Sequence, residues 1–112
     1  MFPAVNQDVL VKTFTELVQI NAVSRHERPV VDFIIQKLNA WNLTYYEDNA
    51  GAKIGGNAGN LIVTVPGKGD FQIFLGAHTD TVRPTAGLVP VIKDGVIYSG
   101  GKTILGADNR AG

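Results

Sequence analysis

Between Asp8 and Ala22 the apolar residues Val9, Leu10, Phe14, Leu17, Val18 and Ile20 approximate one face of a 3.6-residue helix, with Asn6 placed to cap its start. Ser24-Arg25-His26-Glu27 has the spacing of a capping box. It precedes a second apolar set at Val30, Val31, Phe33, Ile34, Ile35, Leu38 and Trp41, with Pro29 in the first turn, where its missing N–H costs little. The pattern then shifts towards strands. Leu43 to Glu47 reads as a strand with two central tyrosines, Asp48 to Gly59 as a loop rich in glycine and asparagine, and Asn60 to Val65 as another strand. A turn at Pro66-Gly67-Lys68-Gly69-Asp70 leads into Phe71 to Leu75, a nearly continuous apolar run that predicts a strand buried on both faces and hairpinned to the one before it. Asp94-Gly95 between Val91-Ile92-Lys93 and Val96-Ile97-Tyr98 is a strong hairpin signal. Beyond it, Thr103-Ile104-Leu105 runs into the first residues of another helix. No repeat or low-complexity tract interrupts the chain, so it reads as one α/β unit, two helices followed by a mixed β-sheet.

Composition narrows the partners. The chain has 112 residues, about one small domain, and it carries ten basic and ten acidic residues. Because these are interspersed, there is no electrostatic case for nucleic acid or an anionic membrane. Cysteine is absent, so any metal must sit on His, Asp or Glu. No apolar run is long enough to cross a membrane, and Met1 to Asn6 lacks the basic start and apolar core of a signal peptide; cytoplasmic is the expected location. Arg110-Ala111-Gly112 resembles a first helical turn without its continuation, and the expectation is the N-terminal part of a longer, incomplete domain.

The chemistry concentrates in two places. Gly76-Ala77-His78-Thr79-Asp80-Thr81-Val82 follows the Phe71–Leu75 run, and residues i and i+2 of an extended segment address one locus. An imidazole is a good zinc ligand, and a carboxylate beside it can ligate or orient it. Alone, the same residues read as a polar strand end and a turn cap. Ile104-Leu105-Gly106-Ala107-Asp108-Asn109-Arg110-Ala111-Gly112 repeats the sequence of apolar run, glycine and acid, and Asp108 has two oxygens that could bridge two metal ions. Taken singly, Asp108 is an ordinary helix cap; two such motifs in one plain structural domain would be a coincidence. His26, beside Ser24 and Glu27, belongs to a helix start and not to a metal site. Trp41, Tyr45 and Tyr46 suit packing more than base stacking. Gly55-Gly56-Asn57-Ala58-Gly59 lacks the Gly-Lys-Ser/Thr ending of a phosphate loop and precedes a strand.

These phrases together resemble the M20 family of metallopeptidases, most closely its peptidase T-like (tripeptidase) branch. Ser24 to Arg28, Lys53 to Leu61 and Asp94 to Ile97 resemble that branch as well, so the likeness covers nearly the whole chain. His78 and Asp108 are thirty positions apart. The related M42 aminopeptidases carry an inserted domain between the corresponding motifs, so the short gap favours M20. The resemblance implies the N-terminal portion, 1–112, of a zinc-peptidase-like catalytic domain without its lid domain or C-terminal half. In the complete enzyme His78 would ligate one of two Zn2+ ions, Asp108 would bridge both and be followed by a cis Asp108–Asn109 bond, and Asp80 would be the catalytic carboxylate that orients His78. The implied reaction is hydrolysis of a short peptide by a zinc-bound water, in a parent that could be a homodimer. The general base and the remaining ligands would lie beyond residue 112, so the resemblance implies weak zinc binding and no peptidase activity for these residues alone. Asn109 and Arg110 depart from the aspartate and lysine usual in the family. An M20 amidohydrolase acting on N-acyl amino acids, and a non-catalytic scaffold that keeps the fold, remain alternatives.

Overall fold

The computed structural model describes residues 3–112; the first two residues of the Met1–Asn6 segment lie outside it. Helix α1 spans Gln7–Val18, and Asn6 caps it as expected, its Oδ1 accepting the Val9 N–H at 3.1 Å. Helix α2 spans Arg28–Ala40 with Pro29 in its first turn. Val18 of α1 and Val30, Val31 and Leu38 of α2 are buried, together with the loop residues Ala22 and Leu88. A salt bridge from Lys37 Nζ to Glu16 Oε2, 2.8 Å, ties the helices at the rim.

The capping box does not form. Glu27 precedes α2 without a side-chain cap, and its Oε1 accepts the Arg25 N–H at 2.8 Å. The Ser24 hydroxyl turns away to Asp80. A remote residue serves α2 instead: Asn57 Oδ1 accepts the Arg28 N–H at 2.9 Å, satisfying one of the free donors of the first turn.

Strand β1 (Tyr45–Glu47) pairs antiparallel with β2 (Leu61–Val63), with Glu47 opposite Leu61. The loop between them contains a single helical turn, α3 (Ala50–Lys53), which the glycine content concealed. Asp48 organises this loop by accepting the Ala50 and Asn60 N–H groups on Oδ1 and the Asn60 amide on Oδ2. Gly59 is required there, because a Cβ would stand 1.8 Å from the Asp48 carbonyl oxygen. Arg28 clasps Glu47 from α2, with Nη1 2.8 Å from Oε1.

Strands β3 (Pro90–Lys93) and β4 (Val96–Ser99) form the expected hairpin. Asp94 and Gly95 have φ of 52° and 76°, the pair of positive values that a two-residue type I′ turn demands. The last element is the short turn α4 (Ala107–Arg110).

The chain is thus mixed α/β, with its strands in two separate two-stranded antiparallel ladders instead of one mixed sheet. The expected strand at Phe71 to Leu75 is absent, and so is its hairpin, because β2 takes β1 as its neighbour. Phe71, Ile73, Phe74 and Leu75 are all exposed. A strand buried on both faces needs ladder partners at its edges and layers on its faces, and among the described residues none is supplied. Ile104 and Leu105 likewise stay irregular. Trp41 and Tyr46 are exposed, not packed. The radius of gyration is 15.4 Å, above the roughly 13 Å of a compact domain of this length. Among the described residues, no helix is long and apolar enough to cross a membrane.

Candidate functional site

Both motif segments are brought to the end of α1. After Val18 the chain turns, and the Ala22 carbonyl accepts the Thr81 N–H at 2.9 Å in an isolated parallel bridge between Val23 and Thr81. Thr85 docks beside it, its N–H donating to Asn21 Oδ1 at 2.9 Å and its hydroxyl to the Ile20 carbonyl at 3.2 Å. Thr81 and Thr85 are fully buried, and their hydroxyls have acceptors, so the burial leaves no donor unpaired. Gly106 then packs directly onto both threonines. At φ 75° it lies in the left-handed region, and a Cβ would meet Thr81 Cγ2 at 3.0 Å and Thr85 Cγ2 at 3.2 Å. This close approach carries Asp108 to His78.

The three candidate residues meet in one cluster. His78 Nδ1 lies 2.9 Å from Asp80 Oδ1 and 3.1 Å from the Asp80 carbonyl, and Nε2 lies 2.9 Å from Asp108 Oδ1. The Ser24 hydroxyl donates to the other Asp80 oxygen, Oδ2. The imidazole is therefore held between two carboxylates, and one of these is itself anchored. The Asp108 carboxylate raises the His78 pKa, with Asp80 adding to the effect and burial opposing it. The Ser24 hydroxyl holds Asp80 below the usual carboxylate range, and His78 lowers it further. The Asp80 side chain is 24% exposed and that of Asp108 is 90% exposed, so one carboxylate is fixed and the other faces outward. The Asp108–Asn109 peptide bond is cis.

These donors suit a zinc ion. Two ligands on one tetrahedral zinc, at about 2.0 Å each, lie about 3.3 Å apart, close to the 2.9 Å between His78 Nε2 and Asp108 Oδ1. The exposed Asp108 carboxylate is free to make that adjustment and retains a second oxygen. Asp80 on Nδ1 fixes the tautomer that presents Nε2 outward. Among the described residues, no three of His, Cys, Asp and Glu converge as a metal site.

His26 is exposed at the bend before α2. Two residues of the cluster were not expected from sequence. Ser24 reads locally as a helix cap, and only the fold shows its link to Asp80, 56 positions away. Arg110 stood out only as an unusual residue in its motif, yet it is 6% exposed and reaches back to the end of α1.

No family model matches the chain. Among curated proteins, it is 38% identical over 109 residues to the uncharacterized protein YqjE of Bacillus subtilis (strain 168), covering 96% of this chain and 29% of that protein. Among solved structures, the aminopeptidase PepT from Bacillus cereus ATCC 10987 superposes with a TM-score of 0.82 and 39% identity, over 95% of this chain and 29% of that one. A tripeptidase from Staphylococcus aureus subsp. aureus mu50 superposes with a TM-score of 0.87 and 36% identity, over 96% of this chain and 30% of that one. The chain thus spans about three tenths of the length of each relative. Identity and backbone agree over nearly all of its residues, so the chain is similar to a part of each of these two peptidases.

Proposed function

We propose that residues 1–112 are the first portion of an M20-type metallopeptidase that hydrolyses short peptides, and that His78, Asp80 and Asp108 form the near half of its two-metal centre. The observation that carries this reading is the His78 ring held between Asp80 and Asp108, in a chain that is 39% identical to an aminopeptidase. His78 Nε2 would hold one ion, and the two oxygens of Asp108 would hold both. Bound zinc would polarise the peptide carbonyl and make water a stronger nucleophile at neutral pH. Asp80 keeps the His78 ring in the orientation that points Nε2 at Asp108, and Ser24 restrains Asp80 in turn. A closed zinc site takes about four protein ligands, so the remaining ligands and the general base would come from residues beyond 112.

Two arms test the proposal. In the full-length polypeptide with Zn2+ and a tripeptide such as trialanine, release of the N-terminal residue is expected, abolished by His78→Ala or Asp108→Ala. Asp80→Asn should lose roughly 10–100-fold in zinc affinity. Hydrolysis of N-acetyl amino acids in place of tripeptides would assign the deacylase chemistry instead. The 112-residue chain alone should release nothing and bind zinc weakly, and tight stoichiometric zinc in a chelator competition would overturn that part.

A further inference from the structure

We infer that Arg110 is a positioning residue, a buried clamp that sets Asp108 and His78 in register against the end of α1. The inference deepens the metal-centre proposal and rests on it for its functional meaning. Its geometry stands independently.

Arg110 lies two residues after Asp108, and its guanidinium is enclosed by backbone carbonyls. Nη1–H groups donate to the carbonyls of Leu17 and Ile20, both at 2.6 Å, and Nε–H donates to the Thr79 carbonyl at 3.2 Å. Nη2 has a longer contact, 3.5 Å, with the Ala22 carbonyl. Thr79 is the residue between His78 and Asp80. One planar group therefore joins three segments: the turn bearing Asp108, the loop bearing His78 and Asp80, and the end of α1.

The charge fits this place. The last turn of α1 has no basic residue of its own, and its carbonyls form the negative end of the helix dipole. Arg110 supplies the cation from 93 positions away in sequence. Burial pulls its pKa below the usual value, and the Asp80 charge opposes that pull. A buried guanidinium is costly unless every donor finds an acceptor, and here the acceptors belong to the segments that must be aligned. The fork spans acceptors that a point charge cannot all reach, yet an ammonium could still hold the Leu17 and Ile20 carbonyls.

The site should also tolerate removal of the guanidinium without collapse. The Leu17 carbonyl also accepts from Ile20 N–H, the Ile20 carbonyl from the Thr85 hydroxyl, and the Ala22 carbonyl from Thr81 N–H. The Thr79 carbonyl, by contrast, has Arg110 as its partner. Loss of Arg110 should therefore show first in the register of the His78 loop, and only second in stability.

The test begins with the unaltered 112-residue chain by NMR, without metal. A through-hydrogen-bond coupling between Arg110 Nε and the Thr79 carbonyl carbon, with slow exchange of the Nε–H, is expected. Absence of the coupling with solvent-like exchange would overturn the clamp without need of any variant. The His78 ring is read next. In Arg110→Met the Nε2–H signal should lose its downfield, hydrogen-bonded position while Nδ1–H to Asp80 keeps its own, and Arg110→Lys, which does not reach the Thr79 carbonyl as well, should restore the first only in part. Retention of both signals in Arg110→Met would sink the inference. In the full-length polypeptide, zinc affinity by chelator competition should fall roughly 10–100-fold in Arg110→Met and by less in Arg110→Lys. If the unaltered polypeptide takes up no zinc, the metal-centre proposal fails while the NMR readings still decide the clamp.

Discussion

Thr81, Thr85 and Arg110 are polar and lie at 0%, 0% and 6% exposure, while Phe71, Ile73, Phe74 and Leu75 are apolar and lie between 72% and 92%. Thr81 and Thr85 follow the apolar run closely in sequence, and the difference between the two regions is one of partners, not of polarity. Each buried polar group finds a backbone acceptor, Thr81 at Arg83 and Thr85 and Arg110 at Ile20, so leaving water costs it little. The apolar run has much to gain from burial, but its backbone also needs ladder partners on both edges, and the described residues offer none. Apolar composition shows that a segment can be buried. The neighbours must come from elsewhere in the fold.

The contrast can be broken most forcefully with a pair of truncations in the 112-residue chain. Val30 of α2 is fully buried, and Val30→Ala removes two methyl groups, about 1.6 kcal/mol of transfer free energy, with a cavity term that brings the cost to about 2–3 kcal/mol. Phe74→Ala removes a far larger side chain at 92% exposure and should change stability by no more than about 0.5 kcal/mol. Urea denaturation of both variants is the measurement. A large cost for Phe74→Ala would mean that this run is covered in solution.

A second pair sharpens the same comparison at glycines of equal backbone conformation. Gly106 and Gly87 have φ of 75° and 78°, but a Cβ at Gly87 meets nothing within 4 Å. Gly87→Ala should therefore carry only the left-handed penalty, about 1 kcal/mol, and Gly106→Ala should reach about 2 kcal/mol, because the new methyl also presses on Thr81 and Thr85. Equal denaturation midpoints would show that the threonine pocket yields freely.

The sequence discloses these elements unevenly, and the unevenness has a physical pattern. Features fixed within a few residues were legible: the Asn6 cap, Pro29 at the start of α2 and the Asp94-Gly95 turn depend on local geometry alone. His78, Asp80 and Asp108 stand out in the sequence because their contexts repeat, and the fold brings the three together. Strand pairing was not legible. Leu61–Val63 could accept either β1 or Phe71 to Leu75 as its neighbour, and periodicity does not choose between them. Ser24 and Arg110 escaped for a related reason. Their partners lie 56 and up to 93 positions away, and a local reading finds each a plausible helix-end role.

The smallest expected effect is on acid stability, and it belongs to the packed region. Glu47 accepts hydrogen bonds from Arg28 and from the Gly59 N–H at 2.9 Å, and Arg28 first, then Gly59, lowers its pKa from the ordinary 4.5. A carboxylate whose pKa is lower folded than unfolded binds fewer protons when folded. Its contribution is present in full above the unfolded value and is lost as pH falls below 4.5 towards the depressed folded value. Asp48 is lowered as well, chiefly by the Ala50 N–H, and its loss has the same sign in the same loop. Both groups are partly solvated, so screening keeps each effect modest. Glu47→Gln keeps the size and one acceptor but cannot titrate. Its thermal midpoint should lie below that of the unaltered chain at pH 7 and converge with it as pH falls through the depressed folded value, because protonation then removes the same charge. Parallel midpoints over that range would separate the Arg28–Glu47 clasp from stability and leave the loop anchored by Asp48 and Asn57 alone.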